Sequence, residues 1–280
     1  MRFSVRKLST RRRHRFAGLA VLLLGLIVVG GLYATLAPKS AVAQEASFRD
    51  IEAGRDLYLV GCASCHGKNA EGITTKSGGN YGPSLIGVGA AAVDFQVGTG
   101  RMPMASTGPQ APRKEPMFTD EETHQLAAYI ASLGPGPAIP EGEYLDWKKA
   151  SVDEIREGGE FFRTNCTACH NSVGAGGALP NGRYAPTLKG VTPKHIYEAM
   201  QTGPQQMPVF SDNVITPEDK RNVIAYVKTL ENQPKYGGLA GGGIGPVAEG
   251  MFTFLVGIGV LTVFAVWIGA HGARVKKGRE

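Results

Sequence analysis

Cysteine is scarce in this chain. Only four occur among 280 residues, and all four sit inside two pentapeptides, Cys62-Ala63-Ser64-Cys65-His66 and Cys166-Thr167-Ala168-Cys169-His170. A zinc centre or a thioredoxin-like dithiol uses thiols at this spacing, but either would leave the histidine of both copies unexplained. Charge is missing from two long stretches, residues 17–37 and 251–270, which excludes an ordinary soluble surface for them. Acidic residues are nearly absent from the ends. Seven of the 30 Lys+Arg precede position 17 and four follow position 270, leaving 19 between residues 38 and 270 against 23 of the 24 Asp+Glu. The net charge of +6 therefore belongs to the tails and gives no indication of nucleic-acid binding.

What the two pentapeptides do contain is the pattern C-x-x-C-H. Two thiols at that spacing add across the vinyl groups of one haem, and the next residue is an imidazole placed to bind its iron. Cys62, Cys65, Cys166 and Cys169 are thus the expected covalent anchors of two haems c, with His66 and His170 as iron ligands.

The motifs lie in a tandem repeat, offset by 104 residues from Cys62 to Cys166. A helix-like run precedes each, and at the same offset Gly54 meets Gly158 and Tyr58 meets Phe162. A glycine-rich loop follows, then Gly82-Pro83-Ser84-Leu85 or Ala185-Pro186-Thr187-Leu188, then a Met-Pro pair. Each repeat closes with apolar residues at helical spacing, Leu126-Ala127-Ala128-Tyr129-Ile130 and Val223-Ile224-Ala225-Tyr226-Val227. Asp120 and Pro217 suit the starts of those closing helices. Gly54 and Gly158 are expected to let first and last helices cross closely, against Tyr129 and Tyr226. Each repeat is small for a self-sufficient core, and a covalent haem would supply the apolar centre.

Each repeat resembles a class I cytochrome c domain, over 48–133 and 151–232. That family's second axial ligand is a methionine, usually followed by proline. The resemblance implies Met207 in the second repeat, 37 residues after His170, and Met102 in the first, 36 after His66. Met104 and Met117 are the alternatives in the first, Met117-Phe118-Thr119 being similar to Val209-Phe210-Ser211. Met200 lies in a helical run. Histidine/methionine ligation stabilises ferrous iron and leaves no open position, as an electron carrier requires. By the same resemblance Pro83 and Pro186 either accept, through their carbonyls, from the ligating histidines or are plain turn prolines. His124 and His195 have no matched partner across the repeat and are read as surface or helix residues.

The apolar stretch 17–37, after the basic tail 1–16, is either a retained anchor or a signal peptide cut near Ala41-Val42-Ala43. Its length favours retention. The stretch 251–270 is a second expected membrane helix, followed by the basic tail 271–280. Basic tails at both ends predict a multi-pass cell-membrane protein with both termini cytoplasmic and the haem repeats outside. Residues 134–150 read as a proline-containing semi-stiff linker, and 233–250 as a glycine-rich one. Because tunnelling falls steeply with distance, the two repeats must pack together. The first repeat also carries an insertion, residues 105–115, whose Arg113-Lys114 is expected to be a solvated loop or a docking surface for a redox partner.

The whole arrangement is mainly α: two tandem class I cytochrome c domains flanked by transmembrane helices. It resembles the dihaem cytochrome c subunit of the actinobacterial cytochrome bcc complex, as do Thr99-Gly100-Arg101-Met102-Pro103-Met104 and Arg113-Lys114-Glu115-Pro116. That resemblance implies a subunit of a quinol–cytochrome c reductase, with menaquinol or ubiquinol oxidised elsewhere in the assembly. It implies cytochrome b and a Rieske iron–sulfur protein as partners and an aa3-type cytochrome c oxidase as acceptor. The alternatives are a dihaem subunit of another membrane oxidase or dehydrogenase, or a stand-alone anchored carrier. A dihaem peroxidase would need a displaceable ligand, against both Met-Pro pairs.

Overall fold

The chain divides into two bodies, residues 1–44 and 45–280. The computed structural model describes residues 16–36, 47–76, 78–233 and 243–277. In the first body, α1 (Ala17–Leu36) is an uncharged helix whose described side chains are exposed and apolar over Ala17–Leu32. Residue 37, the possible cleavage site at Ala41-Val42-Ala43 and nearly all of the N-terminal basic tail lie outside the described residues.

The second body is built on the expected repeat. The first copy comprises α2 (Phe48–Gly61), α3 (Ala63–His66), the strands β1 (Ile73–Thr74) and β2 (Asn80–Gly82), α4 (Ala90–Gly98) and α5 (Asp120–Ser132). The second comprises α6 (Val152–Asn165), α7 (Thr167–His170), β3 (Gly177–Leu179), β4 (Arg183–Ala185), α8 (Pro193–Thr202) and α9 (Pro217–Asn232). Local sequence sets the helix starts. Ser47/Asp50, Thr119/Glu122, Ser151/Glu154 and Thr216/Asp219 form capping boxes, each side chain bonding the other's backbone N–H. Asp120 and Pro217 are the first helical residues of α5 and α9, as their types anticipate.

First and last helices of each repeat cross at glycine. A Cβ on Gly54 would lie 1.9 Å from the Gln125 carbonyl oxygen and 3.0 Å from Tyr129 Cβ; one on Gly158 would lie 2.0 Å from the Asn222 carbonyl oxygen. In the second repeat, however, it is Gly159 that meets the Tyr226 ring, at 2.8 Å. The next residue round a helix is turned by about 100°, so Gly158 takes the backbone approach and Gly159 the ring. Beneath these crossings Tyr58, Leu126 and Ile130 form one core, and Phe162, Ile196, Val223 and Ile224 the other.

The glycine-rich loops contain short antiparallel hairpins, β1–β2 and β3–β4, that glycine content did not reveal. Gly72 and Gly176, at φ +86° and +84°, turn the chain there and donate N–H to the carbonyls of His66 (2.7 Å) and His170 (2.9 Å).

Residues 134–150 are shared between two cores rather than spanning a gap. The Pro137 carbonyl accepts from Ala91 N–H at 3.1 Å and Ile139 packs on the first core, while Tyr144, Leu145 and Trp147 pack on the second. The repeats also touch directly. Helices α4 and α8, equivalent in the repeat, pack together, with Lys194 Nζ 2.7 Å from an Asp94 carboxylate oxygen. α10 (Pro246–Lys277) begins within the region read as linker, because proline suits a first helical turn. Its segment Val247–Ala270 is the one stretch among the described residues long and apolar enough to cross a membrane, and it lies exposed. Just before it, the carbonyls of Gly243 and Ile244 accept from Lys189 Nζ (2.5 Å) and Asn171 Nδ2 (3.2 Å) of the second repeat.

Candidate haem sites

Each C-x-x-C-H motif is a helix end followed by a single turn. Cys62 and Cys166 close α2 and α6, donating N–H to Tyr58 and Phe162 carbonyls at 2.8 and 2.9 Å. The one-turn helices α3 and α7 then carry the chain to His66 and His170, whose N–H groups return to the carbonyls of Cys62 (3.0 Å) and Cys166 (2.8 Å). Both thiols and the imidazole of each motif are thereby held on one short rigid segment.

The imidazoles are oriented alike. His66 Nδ1 lies 2.7 Å from the Pro83 carbonyl oxygen, and His170 Nδ1 lies 3.0 Å from that of Pro186. A carbonyl only accepts, so Nδ1 carries the proton in each ring and Nε2 keeps its lone pair for a metal. Of the two readings of these prolines, the contact made is the one with histidine. Burial holds His170 below the ordinary histidine range, keeping it neutral and able to ligate. Burial also pushes the Cys62 and Cys166 thiols up to about 11.

In the second repeat Cys166, Cys169, His170 and Met207 line one cavity of about 340 Å³, walled by Phe162, Ile196, Val223 and Val227. Two thiols, an imidazole nitrogen and a thioether around an apolar slot fit a covalently held haem c. Met200 lines the cavity too, but from within α8, where it is buried in the core. In the first repeat Cys62 and Met102 pack on the same core, and His66 is buried. Met104 and Met117 are exposed. Met117 matches Val209, which is exposed as well, while the adjacent Phe118 and Phe210 pack inward.

One group escaped the sequence reading. His195 is on a helix as expected, yet its side chain is largely buried against Asp94 and Phe95 of the other repeat. Oxygens of Asp94 and Glu198 and a His195 nitrogen lie within 4.8 Å of one another. Lys194 already pairs with Asp94. Glu198 is wholly buried with neither carboxylate oxygen hydrogen-bonded. Burial first, and Asp94 second, push it up to about 10, so it is a neutral acid at physiological pH. Only the packing of α4 on α8 assembles these residues, which is why no motif announces them.

Known proteins place these features. The cytochrome c family matches residues 51–134, and the family described as cytochrome c oxidase, cbb3-type, subunit III matches 153–227. The cytochrome bc1 complex cytochrome c subunit of Corynebacterium efficiens is 42% identical over 96% of this chain and 94% of its own length. Its counterpart in Mycobacterium tuberculosis is 42% identical over 93% of each. The chain belongs to the cytochrome bc1 complex cytochrome c subunit family. Within that family its two cytochrome c domains are electron-transfer modules, and two domains imply covalently bound haem c. A Cbb3-type cytochrome c oxidase subunit FixP of Rhizobium meliloti is more distantly similar, 29% identical over 54% of the chain.

Proposed function

We propose that this chain is the dihaem relay of a quinol–cytochrome c reductase, taking electrons from a Rieske iron–sulfur protein and delivering them to an aa3-type oxidase. Cytochrome b would be its membrane partner. The observation that carries the reading is the duplicated histidine turn, each ring fixed by a proline carbonyl, in a chain alike over its whole length to bc1 cytochrome c subunits. A haem c in each domain would supply reversible one-electron chemistry. The residues of the chain do the rest. Cys62, Cys65, Cys166 and Cys169 would anchor the haems, and His66 and His170 would offer Nε2 to the iron. Met102 and Met207 present thioethers, and the apolar walls exclude water. With a histidine and a methionine offered to each iron, such sites would pass electrons rather than bind a substrate.

The basic tails and the apolar helices α1 and α10 support a multi-pass arrangement with both termini cytoplasmic and both domains outside. The likeness of the second domain to cbb3-type subunit III keeps an oxidase subunit as the second reading. Purification of the complex in mild detergent, followed by reduced-minus-oxidised spectra, separates them: b-type haem and a Rieske protein are expected to accompany the chain. Copper and haem–copper spectra without a Rieske protein would favour the oxidase. For ligation, Met102→Leu is expected to abolish the near-infrared sulfur-to-iron band of one haem; loss on Met104→Leu instead would reassign it.

A further inference from the structure

The insertion in the first domain is largely exposed, as a solvated loop should be, but its middle is bound. It clasps the second domain. The Pro109 carbonyl accepts from Arg183 Nε at 2.7 Å, and Gln110 pairs with the backbone of Tyr184 at 2.7 and 2.9 Å. The carbonyl of buried Ala111 accepts from Gln205 at 3.1 Å. Lys114 is engaged at home, donating to the carbonyls of Gly100 (2.7 Å) and Pro103. Lys114 is therefore held within its own domain, while Arg113 stays exposed.

The clasp has a chemical result. The cavity that holds Cys166, Cys169, His170 and Met207 is not closed by the second domain alone, because Phe95, Thr99, Arg101, Gln110 and Arg113 of the first domain line it. Arg101 is half-buried, fixed by a 2.7 Å bond from Nη1 to Thr99 Oγ1 and by the Phe95 face, 4.8 Å from its guanidinium. Arg113, more open, lines the same cavity. Yet among the described residues neither arginine forms an ion pair with a carboxylate, and the nearby Asp94 is taken by Lys194. Two arginines, one of them fixed, line one apolar slot without a carboxylate partner among the described residues. Guanidinium forks match planar carboxylates through two parallel hydrogen bonds.

We propose that Arg101, with Arg113 outside it, is a carboxylate-binding subsite that the first domain contributes to the second domain's haem, receiving its propionates. This rests on the haem reading above. Arg101 directly precedes Met102, so the subsite of one haem adjoins the ligand proposed for the other.

A cation beside the propionates disfavours the more positive ferric centre, and its removal must lower the potential. The test uses the purified full complex with Arg101→Gln, Arg113→Gln and Arg101→Lys, followed by haem-by-haem redox titration and peptide mass measurement of covalent haem. The second haem is the one whose near-infrared band depends on Met207. We expect two attached haems in every variant. In Arg101→Gln the ferric form of the second haem should gain about tenfold, which is 59 mV for one electron, with a smaller shift in Arg113→Gln and most of it restored in Arg101→Lys. Unchanged second-haem potentials in both glutamine variants, or a shift confined to the haem ligated by Met102, would overturn the proposal. Should Arg101→Gln fail to accumulate, Arg113→Gln and Arg101→Lys decide. Failure of the haem reading itself would look different: no thioether-linked porphyrin on the unaltered chain.

Discussion

The two cytochrome domains share a skeleton and differ in how each is finished. In the first, the Tyr58 hydroxyl reaches the Gly67 carbonyl at 2.6 Å and so ties the helix before the motif to the turn after it. The second has Phe162 at that place and no hydroxyl to offer. Its turn is instead held from outside, since Asn171, in the left-handed region like Gly67, donates to the Ile244 carbonyl at the root of the C-terminal helix. Its cavity, too, borrows a wall from the first domain. Duplication supplied one scaffold twice, and divergence made the second copy depend on its neighbours.

The strongest way to break this comparison is at what the copies have in common. Gly54→Ala and Gly158→Ala each force a methyl to within about 2 Å of a backbone oxygen, so the helices must separate. Each is expected to cost about 3 kcal/mol or more, read as a large fall in the thermal midpoint of the complex. Should either be tolerated within about 1 kcal/mol, the shared crossing is not what organises that domain.

An intermediate effect lies at the contact between the copies. Glu198 is raised from 4.5 to about 10, so the folded chain holds a proton there that the unfolded chain releases above 4.5. Stability must therefore fall as pH rises through that window, by about 1.4 kcal/mol per pH unit for one proton. Glu198→Gln keeps the shape and cannot ionise. Melting curves from pH 6 to 9 should be steeper in pH for the unaltered protein, and equal slopes would place a different proton at the interface.

The smallest change makes the first domain like the second. Tyr58→Phe removes one buried hydrogen bond and leaves the Gly67 carbonyl without that partner, for about 1 kcal/mol. Denaturation followed through the first haem alone should register it; an equal loss at the second haem would mean that the domains unfold as one unit.

Most of this architecture could be read from residue order. The C-x-x-C-H spacing specifies a helix end and a single turn, because two thiols and an imidazole must share one segment. The capping pairs and the apolar closing runs mark the helices, and the glycine offset marks their crossing. What escaped was whatever depends on contact between distant segments. Nothing in the string Ser172-Val173-Gly174-Ala175-Gly176-Gly177 announces a strand, because hairpin pairing there is backbone bonding on a glycine-permitted turn. His195 reads as a surface or helix residue; it is on a helix, but its burial comes from Asp94 and Phe95, a hundred residues away, and could not be read. The insertion reads as a solvated loop or a docking surface, and most of it is exposed; that Pro109, Gln110 and Ala111 bond the chain's own second domain is a property of packing.

The bonds from Lys189 and Asn171 to the chain just ahead of α10 leave little slack between the second domain and that apolar helix. A carrier that swims between complexes delivers electrons at a rate set by its abundance and by salt. One moored this tightly replaces that search with a standing local concentration. In the proposed relay, turnover would then follow first-order kinetics, indifferent to how many other copies the cell makes.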